Sequence, residues 1–357
     1  VRIMAYTNID DPSAYFQATT YTGGGANTEV TNGGNSDLKP DFLWIKNRTA
    51  GYAHFVVDSN RNISYAQNSS NAPYLETDST AVENNNQNWM QSVNTDGFTT
   101  GIAEHTNCNS GSAYVAWQWK ANGGTTASNT DGSITSTVQA NQDAGFSIQT
   151  FTSASSGNSN WGHGLGVTPD VFIVKRRDGT SSWWGHWKGT SRTAGSGNNW
   201  QYMPLNSTAA ATSLSTFKAD STTITTSNDF VPNSASMVCY AFAEKQGYSK
   251  FGKYVGNASA NGSFIYTGFQ PAWVMIKGVD VADDWYIFDN KRAGYNPEVF
   301  RLRANTTGTE TTGTNNTVDH LSNGFKLRFT GGSINGSGST YIYMAFAENP
   351  FVTSTGI

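Results

Sequence analysis

Apolar and polar positions alternate along this chain in short runs. Phe325-Lys-Leu-Arg-Phe329 and Ser221-Thr-Thr-Ile-Thr-Thr226 have period two, which on a pleated strand sends successive side chains to opposite faces. Other short runs are rich in Trp, Tyr, Phe, Val, Ile and Thr and are bounded by Gly, Asn, Asp or Pro, the composition of strands closed by turns. No long stretch has period-3.6 patterning with capping residues. The pattern predicts an all-β chain.

One such pattern occurs three times, the mark of a repeat architecture. Each copy begins with a proline, an apolar strand and a lysine six residues on: Pro40 to Lys46, Pro169 to Lys175 and Pro271 to Lys277. Each copy ends with a turn and an aromatic strand. Asp96-Gly97-Phe98 precedes Tyr114–Trp119, Asn228-Asp229-Phe230 precedes Met237–Glu244, and Asn323-Gly324-Phe325 precedes Tyr341–Glu348. Pro40 to Tyr114, Pro169 to Met237 and Pro271 to Tyr341 are 74, 68 and 70 residues apart. Proline just before a strand costs no ladder hydrogen bond. The expected architecture is three tandem β-sandwich or jelly-roll-like units. Residues 1–121 form the first, 144–248 the second and 249–357 the third. Residues 122–143, rich in Gly, Thr and Asn, read as a linker in which Ser133–Gln139 alternates like an extra edge strand.

Between the two halves of a copy stands Asp-x-x-Arg: Asp58 with Arg61, and Asp289 with Arg292. These read as shielded ion pairs at strand ends. The middle copy has Arg192 but Gly189 at the Asp position, so a shared ligand-binding role is disfavoured.

Composition narrows the chemistry. Charged residues are 13% of the 357 and aromatics another 13%, with 37 Gly and 11 Trp. The aromatics suffice for cores, so the chain is not disordered. The net charge of −4 gives no basic stripe for nucleic acid, and no apolar run is long enough to span a membrane. Cys108 and Cys239 read as free thiols, Cys239 in the core. The five His are scattered without metal-ligand spacing. Acidic residues are sparse and sit mostly in turns, as at Asp10-Asp11, Asp131 and Asp283-Asp284, so no carboxylate pair for glycoside hydrolysis stands out. No enzyme, cofactor or metal is expected; a loop calcium at Asp283 or Asp284 is the weaker alternative. Trp161, Trp183, Trp184 and Trp187, with Trp89, are candidates for stacking on sugar rings, set against the plainer reading that they are core.

The strings Tyr114–Ala121, Asn129–Asn141, Gly162–Pro169 and Tyr343–Pro350 resemble a repeated domain of structural proteins of tailed phages, especially those infecting cyanobacteria and other aquatic bacteria. The resemblance covers nearly the whole chain, and the middle unit departs from it most. It implies a virion component with no catalytic residues to carry over. The leading expectation is a tail fibre or receptor-binding adhesin contacting host-surface glycans, assembled as a homotrimer with other virion proteins. A capsid decoration or other lattice protein without a sugar ligand is the second expectation, and a glycan-degrading enzyme the third.

Overall fold

A computed structural model describes residues 9–61, 73–84, 90–102, 108–192, 200–213 and 216–349. The proline-led strands show how it is organised. Every residue of Phe42–Asn47 is buried, on both faces of the strand. Phe42 and Trp44 point into one core, Leu43 and Ile45 into another. The same division separates Val171 and Ile173 from Phe172 and Val174, and Trp273 and Met275 from Val274 and Ile276. A sheet built on such strands must be covered twice.

Each unit has a large inner and a small outer sheet, all antiparallel. The first unit's inner sheet runs in the order Phe16–Thr22, Ala113–Trp119, Phe42–Asn47, Phe55–Asp58, Leu75–Glu76. The third repeats it with Ser249–Val255, Thr340–Phe346, Trp273–Gly278, Tyr286–Asp289 and Leu302–Arg303. The second has the same five positions and two more strands, Ala127–Asn129 and Ser136–Asn141, on one edge. The segment read as a linker therefore contributes sheet on both sides of its Asp131–Gly132 turn. The outer sheets have three strands each: Glu29–Val30, Phe98–Thr100 and Met90–Val93; Ser159–Gly162, Thr223–Thr226 and Phe217–Ala219; Phe264–Tyr266, Gly324–Leu327 and Val318–Leu321.

The register corrects one alignment. Ile224 pairs with Trp161 as Phe98 pairs with Val30 and Phe325 with Ile265. The hairpin at Asp220–Thr223 is thus the middle copy's turn, and Phe230 lies beyond it, in the core between the two sheets. At Gly97 the turn needs glycine: φ is +99°, and a Cβ would stand 2.0 Å from the Val30 carbonyl oxygen, a conformation and a space closed to other residues.

The inward faces of the three inner sheets share one core. Phe42 meets Tyr240 at 4.7 Å between ring centroids, Trp119 meets Trp273 at 5.7 Å, and Phe242 meets Phe346 at 5.9 Å. The junctions are equivalent. Backbone N–H groups of Glu83, Ala211 and Glu310 donate to the carbonyls of Arg177, Val279 and Arg48, at 2.9, 2.7 and 2.9 Å. Unit 1 thus docks on unit 2, 2 on 3, and 3 on 1: a closed ring with a pseudo-threefold axis inside one chain. Near the axis is an apolar void of about 30 Å³ lined by residues of all three units, without the polar partners that an ordered water needs.

A shared core couples the units. The chain is expected to unfold in a single calorimetric transition, and Trp119→Ala to cost about 3–5 kcal/mol while lowering that transition as a whole. Separate melting of the units would contradict the closed ring.

Candidate functional site

The ion pairs expected from Asp-x-x-Arg exist and lie at the junctions. Arg61 Nε donates to Asp58 at 2.5 Å and Arg292 Nε to Asp289 at 2.6 Å, all four side chains fully buried. Each arginine also donates to a backbone carbonyl, of Val56 or Ile287. Each then reaches a glutamate, Glu83 at 2.8 Å or Glu310 at 3.0 Å, and that glutamate holds an arginine of the next unit, Arg177 or Arg48. The adjoining unit also supplies a neutral donor to the aspartate: Tyr240 Oη to Asp58 at 2.6 Å, and Trp117 Nε1 to Asp289 at 3.0 Å. Burial works against the Arg61 charge, but Asp58, Tyr240 and Glu83 outweigh it and raise its pKa.

The third junction replaces the whole set. Strand register puts Trp187, two positions before Gly189, where Asp58 and Asp289 stand. Ala211 takes the glutamate's place and Val279 the arginine's. Met344 stands where Tyr240 and Trp117 supply donors. Trp187 packs on Trp285 at 4.4 Å, and Arg192 turns away to cover Trp200 at 4.3 Å. Removing one member of a buried ionic network strands its partners, whereas replacing all of them by apolar groups is tolerated. The concerted replacement is what that asymmetry demands.

Two of the three repeated lysines serve the same junctions. Lys175 Nζ donates to the Thr80 carbonyl and Lys46 Nζ to that of Thr307, each across a unit boundary. Lys277 binds the Gly278 and Val281 carbonyls. Burial lowers the pKa of all three to about 8. Indole groups add cross-links, Trp183 donating to the Glu76 carbonyl and Trp285 to that of Pro204.

The sugar-stacking expectation is corrected by burial. Trp161, Trp183 and Trp187 are each about 99% or more buried. Trp161 stacks on Phe151 inside the second unit, and Trp183 and Trp187 line the shared core. Half-buried Trp184 is packed edge-on against Tyr202 and Phe230. Burial leaves Trp161, Trp183 and Trp187 without a free face. Trp89 lies outside the described residues. Asp283 and Asp284 are occupied by Tyr286, Asn305 and Arg303, and among the described residues no group of three or more His, Cys, Asp or Glu could hold a metal ion. No helix there is long and apolar enough to cross a membrane. Both cysteines are buried, Cys239 in the second unit's core.

Sequence reasoning missed a polar groove of about 230 Å³ on the third unit, lined by Gln270, Asn290, Gly294, Tyr295, Asn296, Glu298, His320 and Asn349. The loop after Arg292 supplies one wall, the end of Val318–Leu321 the other. Asn296 ties them, donating to the His320 carbonyl at 2.8 Å and accepting from the His320 N–H at 2.9 Å. Tyr295, 65% exposed, stands at the rim, while Glu298 is 1% exposed. Burial raises the Glu298 pKa to about 8, with Arg292 opposing and Asp289 adding to the shift. Burial also lowers that of His320 to about 4. At neutral pH the lining is uncharged. A carboxyl held neutral in a cleft marks a candidate site. The signal in the sequence was slight: one Glu and one Tyr flanking Asn296-Pro297, in a loop with no counterpart motif.

A family model described as a domain of unknown function (DUF7483) matches residues 11–350. No curated protein and no solved structure matches the chain.

Asp58→Ala is expected to cost about 3–5 kcal/mol by leaving Arg61 short of a partner. In a double-mutant cycle with Tyr240→Phe, urea unfolding should show a coupling of about 1 kcal/mol or more; additive effects would refute the network. A second expectation concerns Glu298. Its folded pKa lies above the unfolded value, so deprotonation in the unfolded chain costs wild-type stability as pH rises from 4.5 to 8. Glu298→Gln removes that loss. Its stability advantage should grow across this window by at most about 1.4 kcal/mol per pH unit and level off above pH 8, as read by melting temperature against pH.

Proposed function

The chain belongs to the DUF7483 family, and we propose that it is a non-enzymatic structural component of a tailed-phage particle, acting as a rigid host-attachment module. The observation that carries this reading is the closed ring. Three homologous sandwiches spend their aromatic faces and most of their buried ionic groups on one another, which makes a stiff body and leaves loops and shallow grooves for recognition. The resemblance of Tyr114–Ala121, Gly162–Pro169 and Tyr343–Pro350 to repeated domains of phage structural proteins supports the placement in a virion. Sparse charge and a surface of Ser, Thr, Asn and Gly suit contact with glycans or with neighbouring virion proteins.

The ring also bears on assembly. The aromatic surface that would call for a homotrimer is covered within one chain, so the threefold arrangement needs no second copy. A capsid-decoration role is the second reading, favoured by the same stiffness and by the burial of Trp161, Trp183 and Trp187.

Sedimentation equilibrium of the 357-residue chain is expected to give 38.5 kDa; a mass three times larger would overturn the single-chain threefold. Gold-labelled antibody against the chain should mark fibre or tail tips in electron micrographs of the particle. Label spread over the capsid shell would replace attachment by decoration, and particles without label would refute the virion reading.

A further inference from the structure

We propose that the groove on the third unit binds an uncharged saccharide, with Tyr295 as the stacking ring and Gln270, Asn290, Asn296, Glu298 and His320 as its polar lining. The inference names the ligand of the attachment reading, and its biological meaning rests on that reading.

Three observations converge. The first is unmet hydrogen-bonding capacity. Asn290 Oδ1 and His320 Nε2 are buried without a partner, and His320 is only 6% exposed. A buried polar atom left unpaired is destabilising, so two beside one cleft mark a surface that an incoming hydroxyl-bearing ligand would complete. The second is the balance of donors and acceptors. Asn and Gln side chains each offer both, as sugar hydroxyls do. A carboxyl with a pKa of about 8 also offers both at neutral pH. No Lys or Arg lines the groove, so an anionic sugar, sulfate or phosphate would find no counter-charge. The third is the ring. Among the described residues Tyr295 is the most exposed of the large hydrophobic side chains, an apolar face with a polar tip beside the cleft, suited to the C–H face of a pyranose.

The site is a groove rather than a turnover centre. Glu298 is neutral, and the nearby carboxylates of Asp289 and Glu310 are engaged by Arg292, so no free ionised partner faces it as hydrolysis would need.

The test uses the full chain. It is applied to an array of immobilised neutral, sulfated and sialylated oligosaccharides. Saturation-transfer NMR then follows with the methyl glycosides of glucose, galactose and mannose. Binding to neutral sugars is expected. Tyr295→Ala and Gln270→Ala should each weaken it about tenfold, a change of about 1.4 kcal/mol. Tyr266→Ala, an exposed ring outside the groove, should leave it unchanged. Unaltered melting temperatures exclude misfolding as the cause. No sugar binding, binding restricted to sulfated or sialylated glycans, or binding indifferent to Tyr295 and Gln270 would each overturn the groove. Cell attachment is scored separately. Attachment of a chain that shows no sugar binding overturns the groove and spares the attachment reading, whereas sugar binding without attachment to any host cell supports the groove and overturns that reading.

Discussion

Everything in this molecule follows from sheets that are apolar on both faces. A strand such as Phe42–Asn47 or Trp273–Gly278 cannot sit at a surface, because either face left open would put several large side chains in water,. The outer three-stranded sheet covers one face. Within a single unit nothing remains to cover the other. Packing the bare faces of three units against one another solves the problem with one shared core, which is why the units close into a ring and are not strung out like beads.

Closing the ring forces polar groups inward as well, since strand ends and their connections meet at the junctions. The structure meets this by giving each buried charge several fixed partners. Arg61 and Arg292 each touch an aspartate, a glutamate and a carbonyl, and the repeated lysines are seated on carbonyls. Such groups set the docking geometry more than they add stability, because their desolvation offsets much of their attraction. The groove on the third unit is of the opposite kind. Glu298 and His320 are kept uncharged by burial, and polar atoms beside them stay unsatisfied, a local cost of the sort that recurs at recognition sites.

The strands, the threefold repeat and the Asp-x-x-Arg pairs were legible in the sequence because they rest on local signals: alternation, a proline at a fixed distance from a lysine, and turn residues. The ring was not legible, since a run of apolar residues on both faces says that a strand is buried and not by what. The same ignorance made Trp183 and Trp187 look available to a ligand. The middle copy was misaligned at Phe230 and at Gly189 because its turn is Asp220–Thr223 and its loop before Arg192 is longer by two residues, shifts that only pairing register reveals. The residues of 122–143 looked like a linker by composition, yet Val138 and Gln139 are buried there. The groove depends on Asn296 and His320 meeting across 24 residues, which no spacing rule anticipates.

The unlike chemistry of the three junctions has a consequence for how the chain finds its fold. If all three were the same, any unit could dock on any other. Units could then close in the wrong cyclic order or trade places between neighbouring chains at high concentration. Here Glu83 asks for an arginine, which the second unit presents as Arg177 and the third, with Val279 at that place, does not, and Ala211 faces Val279, where the first unit's Arg48 would be buried without a counter-ion. A wrong pairing thus leaves a charge stranded in the interface. The junctions work as an address system, and the apolar one is as much a part of the code as the two that carry charge.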